Sequence, residues 1–413
     1  MLLVHKIELV PNNRQVTFFT CSCGVARFAY NWALEQWRHE YEAGGKPTEA
    51  ALRRKLNAIK RDKFPWMLDV SKTVPQQAIK NLGQAFQHFF RRVKQGEKPG
   101  YPRFRKKGIH DAFRADNGPP EAGKDAVRVD GKRVLLPKIG WVRMCEEVRF
   151  TGQIKSVVVS RRADRWYAAF AVETDNLPHA SRKTHGEATG VDLGISHLAT
   201  LADGACITGP KPHTALLKKL RRESRRLSRK RKGSANWRKA KDKLASLHKR
   251  IANIRVDSLH KLTTCLVLDY DLIGIEDLHV RGMSRNRHLA RAILDQAFYE
   301  FRRQLAYKAC MYGVRVVVAD RFYPSSKTCC RCGAVQDMPL HQRVFRCACG
   351  NEIDRDLNAA INLKQYAIRQ ALSESTPVER TALAGDGNTP GETGSMKQEA
   401  NSNQLCITSY KIA

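Results

Sequence analysis

The stretch "CACGNEIDRDLNAAINL", residues 347–363, places Cys347 and Cys349 one residue apart, then Asp354 and Asp356 one residue apart, at the start of a helical run. Leu357, Ala360, Ile361 and Leu363 recur at helical spacing, so the run predicts a helix buried along one side. An aspartate stands where an N-cap acceptor belongs. A cap accounts for one carboxylate. It accounts neither for the second nor for the thiols directly in front of them.

The thiols have partners upstream. "SSKTCCRCG" carries Cys329 and Cys332 as C-x-x-C, and fourteen residues separate Cys332 from Cys347. Gly333 and Gly350 follow each pair and permit the tight turns that aim sulfur and backbone N–H groups inward. Four thiolates suit one tetrahedral, structural Zn²⁺, although the second pair is one residue shorter than a usual knuckle. Cys330 is a spare, and the other seven cysteines read as packing or surface thiols.

Two more acids stand out. Asp192 lies in an apolar strand, "TGVDLGI", where an ionised group is costly unless paired or bound to metal, and Glu276 ends the strand "LIGIE". Clustered carboxylates repel one another, so a divalent cation is their natural compensation. Mg²⁺ takes oxygen ligands and keeps water and phosphate in its shell. Two such ions about 4 Å apart would activate a water and stabilise the leaving oxygen of a phosphodiester.

Composition points to the same chemistry. Seventy-three Lys and Arg against 40 Asp and Glu give a formal charge of +33, a field that attracts polyanions, so nucleic acid is the expected partner. No apolar run reaches a membrane span. Twelve cysteines without a secretory signal argue for a reducing, cytoplasmic setting.

Along the chain, residues 1–20 predict a strand or strand pair, and Val25 to about Lys94 turns helical, most clearly where Ala78, Ile79, Leu82, Ala85, Phe86, Phe89 and Phe90 recur. "VKQGEKPGYPRFRKKG" mixes aromatics with cations in a Gly/Pro-broken loop that suits a nucleic-acid backbone or an ordinary linker equally. Residues 126–178 alternate like strands, which with the first strand predicts a small antiparallel barrel or sheet holding an inserted helical block. The second half reads as a mixed α/β sheet. It is interrupted by a helical hairpin, about 210–258, whose outer face is almost solid Lys and Arg, including Arg225, Arg226, Arg229 and Lys230. From Ala371 large apolar side chains become few, and disorder is expected.

Taken together, "GVDLGISHLATLADG", "GIEDL", "YPSSKTCCRCG" and "IDRDLNAAINL" resemble, in order, the RuvC-like signatures of the TnpB (OrfB) proteins encoded by insertion sequences, compact relatives of type V CRISPR effectors. The resemblance runs from near residue 5 to about 370 and includes "FAYNWAL", "GYPRFRKK" and "LPKIG". It implies a multidomain α/β plus β-barrel protein. Residues 1–20 and 100–180 would form a wedge-like β-barrel, and 21–99 a helical recognition insertion. Residues 186–320 and 351–370 would form an RNase H-like (RuvC) nuclease, 321–350 its inserted zinc ribbon, and 371–413 a tail. It further implies a guide RNA from the element's end and cleavage of matching double-stranded DNA beside a short flanking motif. The catalytic acids carry over as Asp192, Glu276 and Asp356, leaving Asp354 as the cap. "SKTVPQQAIKNL" resembles a region that helps read the flanking motif, through Lys72, Gln76 and Gln77. A guide-dependent repressor without cleavage and a strand-transferring transposase are the rival readings.

Overall fold

The computed structural model describes residues 1–109, 111–117, 126–175, 187–339 and 341–375. It divides into two compact units, Met1–Pro178 and His179–Ala413.

In the first unit, β1 (Leu2–Val10) turns Leu3, Ile7 and Leu9 inward on alternate residues. Three helices follow, α1 (Asn13–Glu42), α2 (Glu49–Lys63) and α3 (Thr73–Lys94), with a 3-10 turn at Pro65–Asp69. The remaining strands are β2 (Ala112–Asp116), β3 (Arg128–Asp130), β4 (Arg133–Leu136), β5 (Gly140–Met144), β6 (Gln153–Arg162) and β7 (Arg165–Glu173). They build one antiparallel sheet in the order β2-β6-β7-β1-β5-β4-β3, so the helical block is inserted between β1 and β2 as expected. Among the described residues no ladder joins β2 to β3. Asn117, just after β2, donates to the Val127 and Ile154 carbonyls and accepts from Val127 N–H.

One expectation for this unit needs correction. The second strand foreseen within residues 1–20 is the first turns of α1. "VTFF" suits a strand, but Asn12 and Gln15 form a reciprocal capping box, and Phe19 then packs against Phe113 and Trp166. The "GYPRFRKK" loop, open between a backbone grip and a linker, is anchored to the helices. Tyr101 sits edge-on to Phe86 and Phe89, and the Arg105 guanidinium lies 3.9 Å from the Tyr30 ring centroid. The Asn31 amide bonds the Arg105 backbone in both directions, which leaves Arg103, Lys106 and Lys107 exposed.

The second unit is layered. Its sheet runs β10 (Cys206–Ile207), β9 (Ala199–Leu201), β8 (Ala188–Asp192), β11 (Leu272–Ile275), β12 (Arg315–Val318), with β8, β11 and β12 parallel. Between β10 and β11 come α4 (Pro212–Ala215), α5 (Leu217–Ser228) and α6 (Ala235–Asp269). Between β11 and β12 come α7 (Val280–Met283), α8 (Ala290–Gln296) and α9 (Phe298–Tyr312). A two-stranded hairpin, β13 (Val344–Arg346) and β14 (Glu352–Asp354), leads into α10 (Arg355–Ser375).

Val191, Ile273 and Ile275 point to one face of the sheet, into a core with Leu259, Leu262 and Leu266 of α6 and Phe298, Phe301 and Leu305 of α9. The opposite face receives α10, and glycine makes that possible. A Cβ on Gly190 would lie 1.9 Å from the Ala360 carbonyl oxygen, and one on Gly274 would lie 2.3 Å from that of Leu363. The two glycines are register partners on adjacent strands, so the α10 backbone rests directly on the sheet.

The expected basic hairpin is present as α5 and α6, joined through Leu220, Leu247 and Ile251. Its second helix runs on to Asp269, well past the boundary near 258, because Leu259, Leu262 and Leu266 continue the apolar stripe into the sheet's core. Helix α10 continues through Ser375, beyond the tail boundary at 371; the tail expectation otherwise falls on residues outside those described.

Candidate metal and carboxylate centre

The close approach of α10 to the sheet decides which acids meet. Gly190 and Gly274 each precede an acid by two residues, and Val191 pairs with Ile275, so Asp192 and Glu276 leave the carboxyl ends of neighbouring parallel strands side by side. Asp356 occupies the first turn of α10, on the helix those glycines admit. The three sequence-predicted acids therefore gather at one end of one sheet, where ligands of open α/β sheets bind.

Their electrostatics show mutual proximity. Burial raises the Asp192 carboxyl well above its ordinary range, and the charges of Glu276 and Asp356 raise it further. Burial also lifts Glu276 to about 7; the Leu193 N–H, donating to its Oε1 at 3.3 Å, opposes that lift, and Asp356 adds to it. Asp356 has cationic neighbours in Arg355, 3.2 Å away, and Arg343, 3.7 Å away. Like charges held this way favour any divalent cation that can bridge them. The three acids do not reach the tightness of a preformed cage. Among the described residues, the cysteine group is the one set of three or more whose ligand atoms all lie within 4.8 Å.

Asp354 is the last residue of β14, and its Oδ1 accepts from the backbone N–H groups of Asp356 (2.9 Å) and Leu357 (3.1 Å). This is a helix cap, and it leaves the Asp356 carboxylate free of capping duty.

The cysteine group is Cys329, Cys332, Cys347 and Cys349. The sulfurs of Cys329 and Cys349 lie 3.7 Å apart, those of Cys332 and Cys347 3.5 Å. A tetrahedral ion with metal–sulfur bonds of about 2.3 Å needs sulfurs about 3.8 Å apart, so the donor set fits one. Burial would raise the Cys329 thiol, but backbone N–H groups of Cys332 and Arg331 overcome it and bring the thiol down to about 6. The Cys349 N–H favours the Cys347 thiolate, yet hydrogen bonds with neighbouring sulfurs hold that thiol up to about 12. Four sulfurs this close do not all ionise without a cation among them. Cys330 stays outside the set.

The expected nucleic-acid contacts fare unevenly. Arg225, Arg226, Arg229 and Lys230 are exposed on α5 and its C-terminus. Arg226 also bonds Glu223, an acid only 3% exposed that Arg222 and Lys243 approach as well, and this acid helps hold the basic hairpin together. Lys72 is exposed and Gln76 half-buried, whereas the Gln77 amide is committed to Asp116 of β2. Sequence reasoning missed Gly190, Gly274, Arg343 and Arg355. The repeated Gly-x-acid spacing before Asp192 and Glu276 was the available signal for the glycines.

No helix among the described residues is long and apolar enough to cross a membrane. Three family profiles match the chain. Residues 169–287 match OrfB_IS605, described as "Probable transposase"; 298–363 match the Cas12f1-like TNB domain; and 1–46 match a helix-turn-helix domain. In this chain the last stretch folds as a strand and one long helix. The chain is 35% identical over 385 residues to "Putative RNA-guided DNA endonuclease InsQ" of Escherichia coli K12, covering 88% of this chain and 91% of that one. It is 37% identical over 372 residues to a "Putative RNA-guided DNA endonuclease" of Streptomyces pristinaespiralis, covering 87% of each. A shorter match, 26% identical over 232 residues and 53% of this chain, is to the CRISPR-associated endodeoxyribonuclease Cas12f1 of Sulfoacidibacillus thermotolerans.

Proposed function

The chain belongs to the TnpB (OrfB) family of IS605-type elements, and from that premise we propose that it is an RNA-guided DNA endonuclease whose cleavage centre is Asp192, Glu276 and Asp356. The observation that carries the reading is the convergence of these acids at the ends of β8, β11 and the start of α10, with the half-buried Asp192 carboxyl raised first by desolvation and then by the charges of Glu276 and Asp356.

Each residue has a part. Asp192 at its strand end, Glu276 with its Oε1 steadied by Leu193 N–H, and Asp356 from the helix would together hold the cations. The chemistry bound Mg²⁺ supplies in such a site is activation of a water and stabilisation of the leaving oxygen of a phosphodiester. Arg355 and Arg343, paired with the Asp356 carboxylate, hold it in place before loading. The thiol set would hold one Zn²⁺, whose role is structural because all four positions are filled by protein sulfur.

Binding belongs to the cationic surfaces. The α5–α6 hairpin has the exposed Arg and Lys density to neutralise a phosphate backbone, while guide pairing supplies the target sequence. Lys72, just before α3, and the half-buried Gln76 on it are the candidates for reading a flanking motif; the hydrogen bond from Gln77 to Asp116 makes Gln77 a weaker one.

The test is a plasmid digest with guide RNA and Mg²⁺, run beside a binding assay. Asp192→Ala, Glu276→Ala and Asp356→Ala should each abolish cutting while target binding persists. Cutting by Asp192→Ala would overturn the assignment of the centre. Guided binding by wild type without any cutting would make the protein a repressor.

A further inference from the structure

Helix α10 carries more than Asp356. Asn358, Asn362 and Gln365 follow at positions that place them along one side of the helix, and the two asparagines are 0% and 2% exposed. Two buried amides on a helix require partners, and these find them in the loop that begins the cysteine set. Asn358 Nδ2 donates to the Thr328 carbonyl at 2.7 Å, and its Oδ1 accepts from Cys330 N–H at 3.0 Å. Asn362 Nδ2 donates to Ser325 and Thr328 carbonyls at 2.8 and 2.7 Å. Gln365 Nε2 donates to the Cys330 carbonyl at 3.0 Å.

The backbone on both sides of Cys329 is thus bonded to the helix that bears Asp356. A second link runs through the chain itself. β14 pairs with β13, Val344 facing Asp354, and passes into α10 without a break, Arg355 N–H donating to the Arg343 carbonyl at 2.7 Å. The loop holding the first two thiols therefore grips the side of α10, and the hairpin holding the other two grips its start. Asp356 lies one helical step from both grips.

We propose that Asn358 and Asn362 are positioning residues that couple the two metal sites, so that filling the thiol site raises the affinity of the carboxylate site for its cation. The proposal rests on the assignment of both sites made above. The thiol cluster takes its closed shape with an ion in it, and the bonds from Asn358 and Asn362 hold α10, with Asp356 in register with Asp192 and Glu276, against that shape. Coupling of this kind is reciprocal: a cation at the acids must tighten the thiol site by the same factor.

Mn²⁺ titration followed by electron paramagnetic resonance tests it on the full chain, as purified and after zinc removal, with zinc content measured in each sample. Removing zinc from wild type should weaken Mn²⁺ binding about tenfold, within the range of ordinary site–site coupling. The double variant Asn358→Ala/Asn362→Ala keeps its four thiols and should hold zinc. It should bind Mn²⁺ more weakly than wild type, and removing zinc should weaken that affinity further by clearly less than in wild type, since the β13–β14 link remains. A merely structural role would lower the melting temperature and leave the zinc dependence intact. Mn²⁺ affinity independent of zinc in wild type, or equal zinc dependence in the double variant, would overturn the proposal. If the double variant does not fold, Asn362→Ala alone removes two of the bonds to the loop and should lose part of the coupling; full coupling there also overturns it. Asp192→Ala separates the premises. If it binds Mn²⁺ as tightly as wild type, the carboxylate assignment is at fault rather than the clamp.

Discussion

Gly190→Ala asks whether the distance between α10 and the sheet sets the cleavage centre. The added Cβ would lie 1.9 Å from the Ala360 oxygen and 2.5 Å from the Lys364 nitrogen, both backbone atoms that cannot rotate away. To reach even the 3.0 Å that real Cβ atoms keep, helix and strand must part by about 1.1 Å. Overpacking of this kind costs about 1–3 kcal/mol in stability. The larger effect falls on catalysis, because Asp356 moves with α10 while Asp192 stays with β8. A misplacement of about 1 Å lowers rates on the order of 10²-fold. Guided plasmid cleavage should show that loss, while guide and target binding, assigned above by proposal to the basic surfaces, should stay near wild type. Gly100→Ala is the control, since nothing lies within 4 Å of its added Cβ. Gly190→Ala cutting at the wild-type rate with an unchanged melting temperature would refute the claim that this contact holds Asp356 in place.

Other substitutions probe neighbouring parts. Asp354→Ala removes a cap and should cost about 1 kcal/mol of stability with only partial loss of cutting; a dead Asp354→Ala beside an active Asp356→Ala would show that the two had been assigned in the wrong order. Glu276 keeps its proton in the folded chain up to about 7 but loses it near 4.5 when unfolded, so the ion-free protein should lose stability, on the order of 3 kcal/mol, as pH rises from about 4.5 to 7. Melting curves should show that slope in wild type, a flatter one in Glu276→Gln, and a larger rise on adding Mg²⁺ at pH 8 than at pH 5.5; equal slopes in both proteins would exclude Glu276 as its source. Reversing Arg225, Arg229 and Lys230 to Glu, with Arg226 left to serve Glu223, should weaken all nucleic-acid binding alike and reduce the log–log salt slope by up to about 3. An unchanged slope would locate the backbone contacts elsewhere.

Local chemistry made much of this protein legible. Thiol spacing with a glycine after each pair determined the cysteine cluster, because those features act within a turn. Period-two and period-3.6 patterns determined β1, α3 and the order of strands and helices in the second half, since one buried face imposes them. The acids could be singled out because a carboxylate in or beside an apolar strand demands compensation. Where a short stretch obeyed two rules, the sequence misled: "VTFF" has the side chains of a strand, but Asn12 and Gln15 start a helix and Phe19 finds Phe113 and Trp166 from distant strands. How the "GYPRFRKK" loop is anchored was not legible either, because Tyr30, Asn31, Phe86 and Phe89, which hold it, come from elements that meet it only after folding.

Tertiary structure alone decided how the two halves of the site meet. Nothing local says that Gly190 and Gly274 are register partners, or that a helix starting some 80 residues after β11 will rest its backbone on both. Nor does an asparagine in a helix announce that its amide will be buried against a cysteine loop some 30 residues earlier. The sequence supplied the acids, the thiols and the amides. Their arrangement around α10 came from long-range pairing and from a helix that could approach the sheet only where two side chains are missing.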